Sequence, residues 1–120
     1  MGLTHVTVSV FDLNKSSPPF AGEFLVDTGA IDCLAPRDGL LAAGIKPERK
    51  AVYELADGTP IELEYGFARI VFMGEETVAP IIFGPADSEP LLGAVALENV
   101  GVIVDPVTKT LRRLHAKPLK

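Results

Sequence analysis

Asp27-Thr28-Gly29 is the part of this chain best suited to chemistry. The carboxylate closes an apolar run, Phe24-Leu25-Val26, and Gly29 allows a tight turn with no Cβ beside the acid. The Thr28 hydroxyl can donate to the backbone and stiffen that turn. A carboxylate fixed in this way and partly desolvated is a candidate for giving or taking a proton. Asp and Gly are also ordinary turn residues, so the tripeptide alone fits a plain surface turn equally well. Ala30 and Asp32 continue the loop. The other chemistry-bearing residues are isolated. Cys33, the one cysteine, sits in an apolar stretch with no histidine nearby and reads as a small buried hydrophobe. One cysteine excludes an internal disulfide framework and any metal site built on two thiolates. His5 and His115 stand near opposite ends with no second histidine at i+4, so no metal site is expected.

The elements that must position these residues are mostly strands. Val6, Val8 and Val10 alternate with Thr7 and Ser9, which predicts a half-buried strand over about 3–13. Asn14 to Pro19 is loop by composition, and Phe20 to Val26 reads as a second strand, joined to the first as a hairpin. Arg37 to Gly44 allows two helical turns at most, with Gly44 as its terminator. Val52 to Leu55 and Ile61 to Tyr65 flank Asp57-Gly58, a hairpin signal, with Pro60 arguing against a simple two-residue turn. Phe67 to Met73 and Thr77 to Phe83 flank Gly74-Glu75-Glu76, a second hairpin with a solvated turn. Pro80 suits an edge or bulge better than a central strand. Gly84 to Pro90 is a loop, Ala94 to Asn99 a short helix, and Val102 to Asp105 and Thr110 to Leu114 are final strands around Pro106-Val107-Thr108-Lys109. Seven to nine short strands with one or two small helices predict an all-β, barrel-like fold in one domain spanning residues 1–120.

The order of these parts resembles the retropepsin-like aspartic proteases, the single-domain members of the pepsin superfamily. The matching features are Asp27-Thr28-Gly29-Ala30, a glycine-containing hairpin, and Leu91-Leu92-Gly93 leading into a short helix. They span roughly residues 20 to 114. The resemblance implies a closed barrel with Asp27 as catalytic aspartate. Thr28 would join the hydrogen bonds that brace two active-site loops, and Gly29, Ala30 and Asp32 would line or support the loop beside substrate. Asp57, Gly58 and Thr59 would form the tip of a flap. Leu91, Leu92 and Gly93 would pack behind the catalytic loop as structural support, and residues 102–105 and 110–114 would be closing strands. Retroviral enzymes often follow Asp-Thr-Gly-Ala with an acidic pair, where this chain has Ile31 and Asp32. Their flap tips are glycine-rich, where this one has Gly58 beside Asp57, and the terminal sequences here differ from the retroviral dimer-forming strands.

The chemistry adds its own constraint. Activating water against a peptide carbonyl without a metal needs a base and an acid close together. Two carboxylates sharing one proton meet that need, because like charges a few ångströms apart do not both ionise cheaply. Asp27 is the only aspartate in an Asp-Thr-Gly context; Asp32 and Asp38 lack it, and Asp105 precedes Pro106. The second carboxylate must then come from a second subunit, so the expected active form is a C2 homodimer acting on peptide or protein, with no cofactor. The alternatives are an inactive peptide-binding or assembly module of the same fold, and a monomeric β-domain whose edge strands pair with a larger protein.

Composition is consistent with this. Of the 120 residues, 48% are hydrophobic and 22% charged, which suits a packed core. The net charge of -5 disfavours a nucleic-acid binder, whose surface is usually basic. Arg112, Arg113 and Lys117 form a basic end expected to be solvated. The N-terminus has no basic and leucine-rich signal pattern, and no apolar run approaches the ~18 residues of a membrane span, so the expected location is cytoplasmic.

Overall fold

The computed structural model describes residues 4–119. The predicted start of the first strand at residue 3, the reading of the first three residues and the last lysine lie outside them. Nine strands and two helices follow in the order β1 (His5–Phe11), β2 (Phe20–Val26), β3 (Cys33–Pro36), α1 (Arg37–Ala42), β4 (Arg49–Glu54), β5 (Pro60–Phe72), β6 (Glu75–Gly84), β7 (Leu91–Leu92), α2 (Ala94–Asn99), β8 (Val102–Val104) and β9 (Leu111–Arg113). Strands β1-β2-β7-β3-β6-β5 form one sheet, and β5 pairs back to β1 through Ser9↔Val71, Val10↔Ile70 and Phe11↔Arg69. The result is a closed six-stranded β-barrel, with β4 added outside the ring on β5.

Alternation of side chains fills the barrel. Val8 and Val10 of β1, Phe24 of β2, and Ala68, Ile70 and Phe72 of β5 are buried, while their sequence neighbours are not. β6 departs from alternation. Ile81, Ile82, Phe83 and Gly84 are all buried, because α1 and α2 pack against the strand from outside the ring. Leu40 of α1 and Ala96 and Leu97 of α2 join the same core.

β1 stops at Phe11, short of the predicted residue 13, because Asp12 turns the chain. Its carboxylate accepts from the Ser16 amide at 2.8 Å and the Ser16 hydroxyl at 2.7 Å, and its carbonyl accepts from the Lys15 amide at 2.9 Å. Leu13 is consequently exposed. α1 ends as expected: Gly44 has φ +85°, just past the Ala43 C-cap, and donates to the Leu41 carbonyl.

Three expectations are corrected. The segments 61–65 and 67–73 belong to one continuous strand, β5 (Pro60–Phe72), whose ladder to β6 runs unbroken through Gly66↔Ile81; glycine is needed there because a Cβ would lie 2.4 Å from the Lys46 carbonyl oxygen. Glu75 and Glu76 are the first residues of β6 rather than a turn. The turn is Met73-Gly74, both at positive φ, which matches the twist of a tight hairpin. Strands β8 and β9 pair only with each other, so they do not close the barrel; the β1–β5 pairing does. Pro80 lies within β6, yet β3 joins β6 only from Ile81 onward, so the proline has a strand neighbour on one side alone. No helix among the described residues is long and apolar enough to cross a membrane.

Candidate functional site

β2 delivers Asp27 to the end of the barrel between two neighbours, β1 and β7. The turn that follows is held by its own atoms. The Gly29 amide donates to Asp27 Oδ1 at 3.0 Å and the Ala30 amide to the Asp27 carbonyl at 3.1 Å. The Thr28 hydroxyl was expected to brace this turn, but among the described residues it makes no hydrogen bond and Thr28 is exposed. The aspartate itself supplies the brace through an Asx-type turn, in which the carboxylate takes the place of a backbone acceptor.

The segment 91–95 lies behind the turn. Leu25 and Val26 pair in parallel with Leu91 and Leu92, and Leu34 pairs with Leu91 from the other side. The Asp27 amide donates to the Leu92 carbonyl at 3.0 Å, the Ala94 amide to the Ala30 carbonyl at 2.8 Å, and the Val95 amide to the Ile31 carbonyl at 3.0 Å. Gly93 is in extended backbone at φ −90°. It is needed for space: a Cβ would lie 2.5 Å from the Asp32 carbonyl oxygen and 2.9 Å from that of Ile31. The loop backbone of 27–32 is thereby fixed along its length, while Asp27 remains partly open to solvent and Ile31 is 71% exposed.

Asp32 and Cys33 end the loop. Partial burial pushes the Asp32 carboxyl above the ordinary aspartate value. Cys33 is 1% exposed, and burial pushes its thiol up to about 11, with the Asp32 charge adding to the rise and the Gly93 amide, 3.4 Å from Sγ, opposing it. A thiol so placed is a packing group, as the sequence suggested.

The hairpin β4–β5 carries Asp57, Gly58 and Thr59 at its tip. The Leu55 amide donates to the Thr59 carbonyl and the Gly58 amide to the Leu55 carbonyl, each at 2.8 Å, so the loop is longer than two residues. Gly58 takes φ +87°, and Asp57 accepts from the Thr59 amide at 2.9 Å. All three tip residues are exposed. Tyr53, which the sequence reading passed over, lies in this hairpin within electrostatic range of Asp32. Burial raises its hydroxyl pKa first, and the negative charge of Asp32 raises it further. Its signal in the sequence was the alternation of β4, which turns Ala51 and Tyr53 inward and Val52 outward.

Two clefts of about 400 and 310 Å³ occur elsewhere, and Asp27 lines neither. Among the described residues no group of His, Cys, Asp and Glu is arranged to hold a metal ion. His5 pairs with Glu89 at 3.1 Å, far along the chain from His115. The basic residues near the C-terminus are tethered rather than free: Arg113 pairs with Glu75 at 3.4 Å, Arg112 approaches Asp105 at 4.0 Å, and Lys117 donates to the Asn99 carbonyl at 3.0 Å. No protein-family model matches the sequence, and no curated protein matches it.

Proposed function

We propose that the protein is an aspartic endopeptidase of the retropepsin-like type, active as a C2 homodimer. The observation that carries this reading is the Asp27 turn. A lone carboxylate stands open at the end of a closed barrel, on a backbone held from behind by Leu92, Ala94 and Val95. Each chain supplies one such carboxylate, and a two-fold axis beside the turn would bring two together.

In that dimer one Asp27 takes a proton from water while the other, protonated, polarises the scissile carbonyl. The tetrahedral intermediate then collapses with proton transfer to the leaving amine. The β4–β5 hairpin acts as the flap, admitting an extended peptide and shielding the closed site from water. Exposed Ile31 offers an apolar contact beside the carboxylate, where retroviral enzymes often carry an acid.

The test is cleavage of a peptide library between about pH 4 and 7, with a bell-shaped rate profile expected for a shared-proton pair. Asp27→Asn is expected to abolish cleavage while leaving the fold intact, because the amide oxygen still accepts from Gly29. Unchanged cleavage in this variant removes Asp27 from the mechanism. A second reading has one observation in its favour: β4 is an open sheet edge with Val52 69% exposed, suited to adding a peptide strand without cleaving it. Peptide binding without hydrolysis, equal in the wild type and Asp27→Asn, would select that reading.

A further inference from the structure

β4 ends the sheet order, paired with β5 on one side and with no strand among the described residues on the other. The hairpin fixes which of its main-chain groups point outward. The Leu55 amide donates to the Thr59 carbonyl, and this pair continues the β4–β5 register by one step. Bonded pairs in an antiparallel ladder recur at every second residue, so Tyr53 and Ala51 also direct their main-chain groups at β5. Pro60, which has no N–H, stands opposite Glu54, as this phase requires. The N–H and C=O groups of Lys50, Val52 and Glu54 therefore face the open edge. The side chains of the same three residues share one face of the strand and are exposed, Val52 at 69%. Neither Lys50 nor Glu54 makes an ion pair among the described residues.

We infer that the open edge of β4 pairs with β4 of a second copy of this chain, antiparallel about a two-fold axis through Val52. Lys50 and Glu54 lie two residues to either side of Val52, with opposite charges. In this register Lys50 of each chain stands opposite Glu54 of the other, and Val52 packs on its own copy. Every outward N–H and C=O of the three residues finds a partner in the same register. On the other face Ala51 meets Tyr53, a small side chain against a large one. A two-fold normal to the sheet keeps each face on its own side, so the axis must pass through a residue. Moving it to Ala51 sets Glu48 against Glu54, and moving it to Tyr53 leaves Lys50 opposite Ala56; the charges select Val52. Edge strands that avoid pairing carry charges that repel a copy or a proline that cannot donate, and β4 does neither. The pairing rests on β4 alone and does not depend on the hydrolase reading.

The experiment uses the full chain. Val52→Cys places a thiol opposite its own copy with Cα atoms about 5.5 Å apart, within disulfide reach. Leu55→Cys is the comparison: Leu55 falls opposite Arg49, so two thiols there stand about 20 Å apart. Cys33 is buried and stays out of the reaction. Under mild oxidation Val52→Cys should form a covalent dimer at least about tenfold faster than Leu55→Cys. In sedimentation equilibrium the wild type should dimerise as its concentration rises to about 1 mM, the weak range expected of a small interface. Glu54→Lys sets like charges opposite each other in both pairs and should weaken that dimer about tenfold. A chain that stays monomeric to about 1 mM, equal cross-linking of the two cysteine variants, or a dimer unaffected by Glu54→Lys would overturn the inference. A dimer built only beside Asp27 would show the last two results. Uptake of an extended peptide by β4 in a chain that stays monomeric would overturn it as well.

Discussion

Gly93→Ala is the sharpest test of how the Asp27 turn is held. The added Cβ would lie 2.5 Å from the Asp32 carbonyl oxygen, 2.6 Å from its carbonyl carbon and 2.9 Å from the Ile31 carbonyl oxygen. Ordinary non-bonded contact begins near 3.5 Å, so the backbones must separate by roughly 1 Å. All three atoms are main chain, so no side chain can rotate away. Gly93 has an ordinary extended φ, which means the cost is steric rather than conformational. Overpacking of this kind costs about 1–3 kcal/mol. The separation also strains the hydrogen bonds from Ala94 to Ala30 and from Val95 to Ile31, each contributing about 0.5–1.5 kcal/mol. Together these give a destabilisation of about 2–6 kcal/mol, which for a chain of this size lowers Tm by roughly 8–24 °C. Gly22→Ala is the matched comparison. Gly22 lies in β2 with nothing within 4 Å of the new Cβ, so its stability should stay within about 0.5 kcal/mol of wild type. Urea unfolding and calorimetry of the two variants measure the difference. If Gly93→Ala falls within about 0.5 kcal/mol of wild type, segment 91–95 does not clamp the loop as described.

Other expectations concern titrating groups. The Asp32 pKa is raised in the fold, so the native state keeps its proton to higher pH than the unfolded state. Stability should therefore fall as pH rises from about 3.8 through the raised value, and Asp32→Asn should flatten that slope in pH-dependent unfolding curves. An unchanged slope would place Asp32 in water. Cys33 should resist alkylation at pH 8 in the native state and react at least about a hundredfold faster once unfolded, as mass spectrometry of timed samples would show. Rapid native labelling would mean that the loop opens without global unfolding.

Much of the barrel was legible in the sequence because its signals are local. Alternation placed β1, a short apolar run placed β2, turn residues marked the hairpins, and the helix 94–99 and the Gly44 terminator followed from short-range rules. What local rules missed depends on distant neighbours. Gly66 reads as a strand break until the β5–β6 ladder is seen running through it, with the Lys46 carbonyl against it. β8 and β9 read as barrel strands, yet the place they were assigned is taken by the β1–β5 pairing, which joins residues some sixty positions apart. Glu75 and Glu76 read as a polar turn, whereas they belong to a strand whose charges are met by Arg113, Lys15 and Arg69. At the site, the Asp27 turn stood out by residue type. The brace was misassigned to Thr28 because a hydroxyl and a carboxylate are both able to cap a turn, and only geometry separates them. Tyr53 had a signal in the alternation of β4 that the reading did not use, whereas the Arg37–Glu64 pair was invisible because it depends on α1 and β5 meeting in the fold.

β7 is two residues long, yet it joins β2 to β3 and backs the Asp27 turn. It comes late in the chain, after the six earlier strands. During synthesis the carboxylate turn therefore has only its own hydrogen bonds until residues 91–95 have emerged to back it. Nascent or truncated chains that stop before that point would hold most of the barrel's hairpins but no ordered Asp27 loop. In the proposed protease, this order of assembly leaves the Asp27 loop without its backing strand until β7 has been made.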